Sequence, residues 1–341
     1  MPSVLASGYH GPPELTLSTA LTQWVLDPWA LAFVLALAAV YLAGVRRARR
    51  AGHDWPAGRI VAFCGFGLGF AVIATMSFLG AYQNVLFYAR AAQTTVLLLV
   101  VPLFLALGRP ITLAIAAAPR TGPRIEAALR SKVAKIATFP AITTLVLVVM
   151  PFIVYFTHWY PAGLESVAVR ELTHLVLLVP GFVFFWTLLR VDPVPVTYPY
   201  VVALWITGAE VIGDAILGLA IVADPSLIAS AYYHALARPW GPTLPTDQVL
   251  GGGTLWVLGD IVGLPFLVAQ LIQMIREDEA DAKVIDAELD AAEAAQAAAG
   301  QLAAVQSGEP ALAAAGKPWW ESDRRFAGRF EAVEPGAEET Q

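Results

Sequence analysis

Val167 to Pro193 reads VAVRELTHLVLLVPGFVFFWTLLRVDP, and the reading of this stretch decides the fold. It is apolar over a length that crosses a bilayer, which takes about 20 residues of helix. Arg170 and His174 stand four residues apart near its start, so a helix presents both on one side. Arg190, Asp192 and Pro193 close it, and proline ends helices because it lacks the amide donor and restricts its predecessor. The segment is therefore a membrane helix with a polar pair at one membrane face, and the rest of the chain repeats that arrangement.

Of 341 residues, 57% are hydrophobic and only 14% charged, against roughly 25% charged in an average soluble domain. Long apolar runs without strand-length alternation make the chain an all-α, polytopic helical membrane protein rather than a transmembrane barrel. The net charge of −6 comes largely from an acidic C-terminal stretch, and no basic, aromatic-interleaved surface suggests a nucleic-acid partner. A single cysteine, Cys64, excludes an intrachain disulfide and Cys-X-X-Cys chemistry. Residues 1 to 20 lack a basic n-region and a compact apolar core, so no cleaved signal peptide is expected.

Working outward, residues 1–22 read as a short extracytoplasmic lead and 23–276 as seven crossings. The expected helices are Trp24 to Val45, Arg59 to Leu79, Asn84 to Leu107, Phe139 to Phe156, the opening stretch, Pro199 to Val222, and Val249 to Ile275. Gly65, Gly67 and Gly69 in the second permit close packing and are equally compatible with a loose span. Gly108-Arg109-Pro110 breaks the third helix, and Ile111 to Ala118 is too short to span. Residues 277–341 form an acidic cytoplasmic tail, expected to be largely disordered, with Trp319-Trp320 and Arg324-Arg325-Phe326 near its end.

Loop charge sets the orientation. Arg46, Arg47, Arg49, Arg50 and Arg59 lie between helices one and two, and Arg109, Arg120, Arg124, Arg130, Lys132 and Lys135 between three and four. The opposite side holds only Arg90, Arg170 and Arg238, which places the N-terminus outside and the C-terminus in the cytoplasm of a multi-pass cell-membrane protein.

Two groups of polar residues invite a functional reading. At the extracytoplasmic ends stand Arg90 and Gln93 on helix three, Arg170 and His174 on helix five, His158 in the interface, and Asp247 and Gln248 before helix seven. Histidines at both i and i+4 would make a metal site, but arginine does not ligate cations, and Arg90 and Arg170 read equally well as anchors snorkelling to lipid headgroups. Deeper lie Glu210, Asp214 and Asp260. Intramembrane carboxylates face the bundle interior and pair, so Asp214 is expected to meet Arg170, His174 or another polar group, in a proton path or in a structural network. His174, His158 and His234 are weak metal candidates.

Four segments carry a resemblance: QTTVLLLVVPLFLALGRP (Gln93 to Pro110), HLVLLVPGFVFFW (His174 to Trp186), VDPVP (Val191 to Pro195) and DQVLGGGTLWVLGD (Asp247 to Asp260). In them the chain, over roughly residues 20 to 276, resembles the multi-spanning CtaG family of cytochrome c oxidase assembly factors. The resemblance implies assembly of a haem–copper oxidase at its copper centre. The family's His-Met-X-Gln-His run appears here as Arg90-Ala91-Ala92-Gln93-Thr94, keeping the glutamine and losing both histidines. A further family histidine, four before His174, is Arg170 here. These replacements disfavour the copper that the resemblance implies, so no cofactor is expected.

Three readings stand. The chain is a non-enzymatic assembly or accessory protein of a respiratory oxidase, a structural subunit of another membrane complex without metal, or a proton or small-solute carrier using Glu210, Asp214 and Asp260. Its expected partners are membrane lipid and an oxidase or other membrane complex. The orientation is directly testable: a reporter enzyme fused after Ile275 should report the cytoplasm, and an extracytoplasmic signal would reverse the layout.

Overall fold

The computed structural model describes residues 9–307. The chain divides into two compact units, Met1–Gln273 and Met274–Gln341. The described residues are helical with no strand, and six helices are long and apolar enough to cross a membrane. Seven result if Pro140–Phe156 and Trp159–Glu165, which meet at a 67° bend, count as one broken span. The spans are, in order, Pro28–Arg50, Ala57–Tyr82, Phe87–Leu107, that bent pair, Val167–Leu189, Tyr200–Ala223 and the first part of Leu244–Ser307.

Each boundary has a local cause. The first span starts at Pro28 rather than Trp24, because the Asp27 side chain accepts from the Trp29 and Ala30 amides at 3.0 and 3.1 Å. That satisfies helix-terminal donors, and proline at the first position needs none. Arg47, Arg49 and Arg50 fall inside its last turn, where positive charge suits the helix dipole. Ser166 caps the fifth span, and Arg190 ends it in the left-handed region. The seventh helix begins at Leu244, earlier than Val249, and continues past Ile275. Residues 277–299 are helical and exposed. The Trp319-Trp320 and Arg324-Arg325-Phe326 motifs lie outside the described residues, as does the start of the lead.

The main core gathers Leu97, Leu98 and Leu105 of the third span, Leu177, Phe184 and Phe185 of the fifth, and Phe266 of the seventh. The second and third spans each contain a π-helical stretch, Val61–Gly67 and Val96–Val100, a wider winding that natural helices concentrate at functional sites. Of the three alternating glycines, only Gly67 marks a close approach: a Cβ there would lie 2.7 Å from Leu105, whereas Gly69 has open space around it. The tightest crossing is at Gly181, where a Cβ would overlap the Leu98 carbonyl oxygen and lie 2.7 Å from Pro102 Cγ. The third and fifth spans thus touch backbone to backbone, as small residues allow in membranes.

That crossing predicts a contrast. Gly181→Val should destabilise the purified protein by about 2 kcal/mol or more, since the helices must separate. Gly208→Ala, with nothing within 4 Å of the new methyl, should melt with the wild type. Equal melting temperatures for all three proteins in detergent would contradict the crossing.

Candidate functional site

The polar residues do not form one mouth; they separate into distinct networks. In the first, Asp27 of the first span's cap also accepts from Arg170 Nη2 at 3.4 Å, and Arg170 Nε donates to Glu171 Oε1 at 3.2 Å. The other Glu171 oxygen meets His174 Nδ1 at 3.3 Å. Arg170 is therefore neutralised inside the protein by Asp27 and Glu171 rather than snorkelling to headgroups, and its partner is not Asp214. Asp27 and Glu171 were missed by sequence reasoning. The Asp-Pro helix start and the carboxylate three residues before His174 were the available signals.

In the second, Arg90 is only 4% exposed. Its guanidinium carbon lies 4.9 Å from the Tyr160 ring centroid, and Nη1 reaches Asn84 Oδ1 at 3.4 Å. Gly163 leaves it room, since a Cβ there would sit 2.7 Å from Nη2. Of the two readings open for Arg90, the headgroup anchor gives way to an interior cation held by an aromatic face. Beside it, Gln93 Nε2 donates to the Ala74 carbonyl at 2.8 Å, and Thr94 Oγ1 meets Tyr155 OH at 3.1 Å. Tyr160 OH meets Tyr233 OH at 2.8 Å, and burial pushes the Tyr233 phenol well above its ordinary range.

The third network closes the bundle. Asp247 Oδ1 accepts from the Tyr88 amide at 3.1 Å, and Oδ2 pairs with Arg238 at 3.1 Å, both side chains almost wholly buried. Gln248 Oε1 accepts from the Ile228 amide at 2.8 Å, while its Nε2 donates to the Ser226 carbonyl at 3.0 Å. At the other end, Asp192 accepts from the Ile111 and Thr112 amides at 2.8 and 2.7 Å, and from the Thr112 hydroxyl. The Gly-Arg-Pro and Val-Asp-Pro segments thus meet as a carboxylate on a helix N-terminus.

Glu210 and Asp214 lie one turn apart and buried on the sixth span. The seventh packs over them through glycines: a Cβ at Gly259 would lie 2.6 Å from Asp214 Oδ2, and one at Gly263 would lie 3.2 Å from Glu210 Oε2. Farther along, Gly218 and Gly252 approach so closely that each Cβ would meet the other's carbonyl at 2.6 Å. Asp260 Oδ1 is buried without a hydrogen-bond partner among the described residues.

The histidines do not converge. His158 lines a shallow opening of about 300 Å³ with Asp224 and Ser226, where the Ser226 hydroxyl and amide hold the Asp224 carboxyl below its usual range. His234 is exposed, with Nδ1 at 2.8 Å from the Ser230 carbonyl of its own helix. Among the described residues no three His, Cys, Asp or Glu side chains are grouped to hold a metal ion. Arg170, one turn from His174, supplies no ligand, and no other histidine among the described residues joins it, so the donor set does not fit a copper ion.

The family described as cytochrome c oxidase caa3 assembly factor (Caa3_CtaG) matches residues 39–277. An uncharacterized protein of Mycobacterium bovis is 30% identical over 301 residues, covering 83% of this chain and 45% of that protein. An uncharacterized protein of Mycobacterium leprae is 29% identical over 279 residues, covering 80% of this chain and 42% of that protein. The chain thus spans less than half the length of these curated relatives. No solved structure matches it.

The buried Arg238–Asp247 pair supplies a test. Asp247→Ala strands a buried guanidinium and should cost about 3–5 kcal/mol. Combining it with Arg238→Met removes the stranded charge and should recover part of that loss. A double variant no more stable than Asp247→Ala in a detergent melt would mean that the pair is not a coupled unit.

Proposed function

The chain belongs to the cytochrome c oxidase caa3 assembly factor family, and from that membership we propose that it is a non-enzymatic assembly or accessory protein of a respiratory haem–copper oxidase. It acts through protein contacts in the cell membrane, with its N-terminus outside and the tail after Ile275 in the cytoplasm. The observation that carries the reading is the extent of the match, which takes in about half of the first span and every later one through the membrane-length part of the last. The matched range includes the Asp192 clamp and the Asp247–Gln248 closure, both of which fasten the scaffold.

The arrangement of the polar side chains supports a role through contacts rather than through bound copper. Arg90 and Arg170 are committed to Tyr160, Asn84, Asp27 and Glu171. The sixth span keeps an apolar flank free of the bundle, with Trp205 77% and Ile212 61% exposed. Such a flank faces lipid or a partner's transmembrane helix, where packing drives association.

Deleting the gene should lower the assembled oxidase in native membranes, and affinity purification of the intact chain should recover oxidase subunits. Unchanged oxidase content in the deletion strain would refute the assembly role. Protein from copper-supplied cells should carry no stoichiometric copper. About one copper per chain, lost on His174→Ala, would instead show a metal site of the imidazole type.

A further inference from the structure

A cavity of about 220 Å³ opens between the first, second, third and fifth spans. Trp29, Phe33, Ala71, Leu97 and Leu178 wall it, and Glu171 and His174 stand at its polar end. Trp29 is 67% exposed and Phe33 38%. In a membrane-spanning bundle those side chains face the bilayer, so the cavity is entered from lipid.

Its chemistry is one-sided. Thr75 also lines it, but its hydroxyl already donates to the Ala71 carbonyl at 2.8 Å. Glu171 is engaged by Arg170 and by His174 Nδ1. A carboxylate only accepts, so Nδ1 carries the proton in that pair, and in this tautomer Nε2 is an acceptor. Nε2 is buried and has no partner among the described residues. A buried acceptor without a donor is costly, and an apolar cavity does not hold water to relieve it. The missing group is a neutral hydrogen-bond donor. An anionic headgroup would be repelled by Glu171, and a carbonyl has no hydrogen to give.

Size narrows the class. An apolar cavity of about 150 Å³ accommodates benzene, so this one holds a single ring with small substituents. We propose that the cavity binds a lipid-soluble phenol of the hydroquinone type, whose hydroxyl donates to His174 Nε2 and whose ring packs between Trp29, Phe33 and Leu97. The site is independent of the assembly role and requires no electron transfer.

The test uses the full chain in lipid nanodiscs without oxygen, titrated calorimetrically with decylhydroquinone, decyl-1,4-benzoquinone and decylbenzene. The wild type should bind the hydroquinone about five- to tenfold more tightly than the other two, the worth of one hydrogen bond. His174→Leu should abolish that preference, and His174→Gln, which keeps an acceptor, should restore part of it. Ala71→Leu should weaken all three ligands together by filling the cavity. Equal affinities in the wild type, a preference for the quinone, or a preference that survives His174→Leu would each overturn the assignment. Because the readout is binding to the isolated chain, its failure leaves the oxidase experiments untouched, and theirs leaves it untouched.

Discussion

An ionised side chain within a bilayer must find its compensation inside the protein, because lipid offers neither water nor counter-ions. This chain meets that requirement differently for Arg170, Arg238 and Arg90. Arg170 is held between the Asp27 cap and Glu171, Arg238 is paired with Asp247, and Arg90 lies against the face of Tyr160 with Asn84 at its edge. Each solution ties together elements that are distant in sequence. Asp27 and Arg170 are 143 residues apart, and Asp247 reaches the Tyr88 amide across 159. The charges consequently act as fasteners between spans.

Backbone approach is the second requirement. Lipid supplies no hydrophobic force to press helices together, so close packing has to come from small residues at crossings. Gly181 against Leu98, and Gly218 against Gly252, bring helices to backbone contact. Gly259 and Gly263 do something further, leaving room for the carboxyl groups of Asp214 and Glu210 beneath the seventh span. The acids are therefore placed by the absence of side chains opposite them as much as by their own helix.

The family resemblance takes on physical content in this light. Gly-Arg-Pro starts the short helix Pro110–Ala117, whose first amides are received by Asp192 of the Val-Asp-Pro segment. Asp-Gln at the head of the seventh helix fastens the preceding loop and the third span. These residues maintain the bundle. Arg90 and Arg170, by contrast, are taken into internal cation contacts.

Hydropathy and a few end signals were enough to read the membrane class and the helix order from the amino-acid sequence, because spanning a bilayer demands a continuous apolar run whatever its neighbours are. Gly108 before Arg109 and Pro193 after Asp192 marked ends that local chemistry controls, whereas the start at Pro28 after Asp27 was passed over for Trp24. Periodicity also placed Arg170 and His174 on one face. Which group answers each charge was not legible, since a carboxylate's partner depends on the azimuth and depth of two helices that may be 143 residues apart. Asp214 was expected to meet Arg170, His174 or another polar group; it stands one turn from Glu210 on its own helix and under Gly259, while Asp27 takes the arginine. The cavity at His174 likewise exists only where four helices leave a gap, a property of their packing that no one segment encodes.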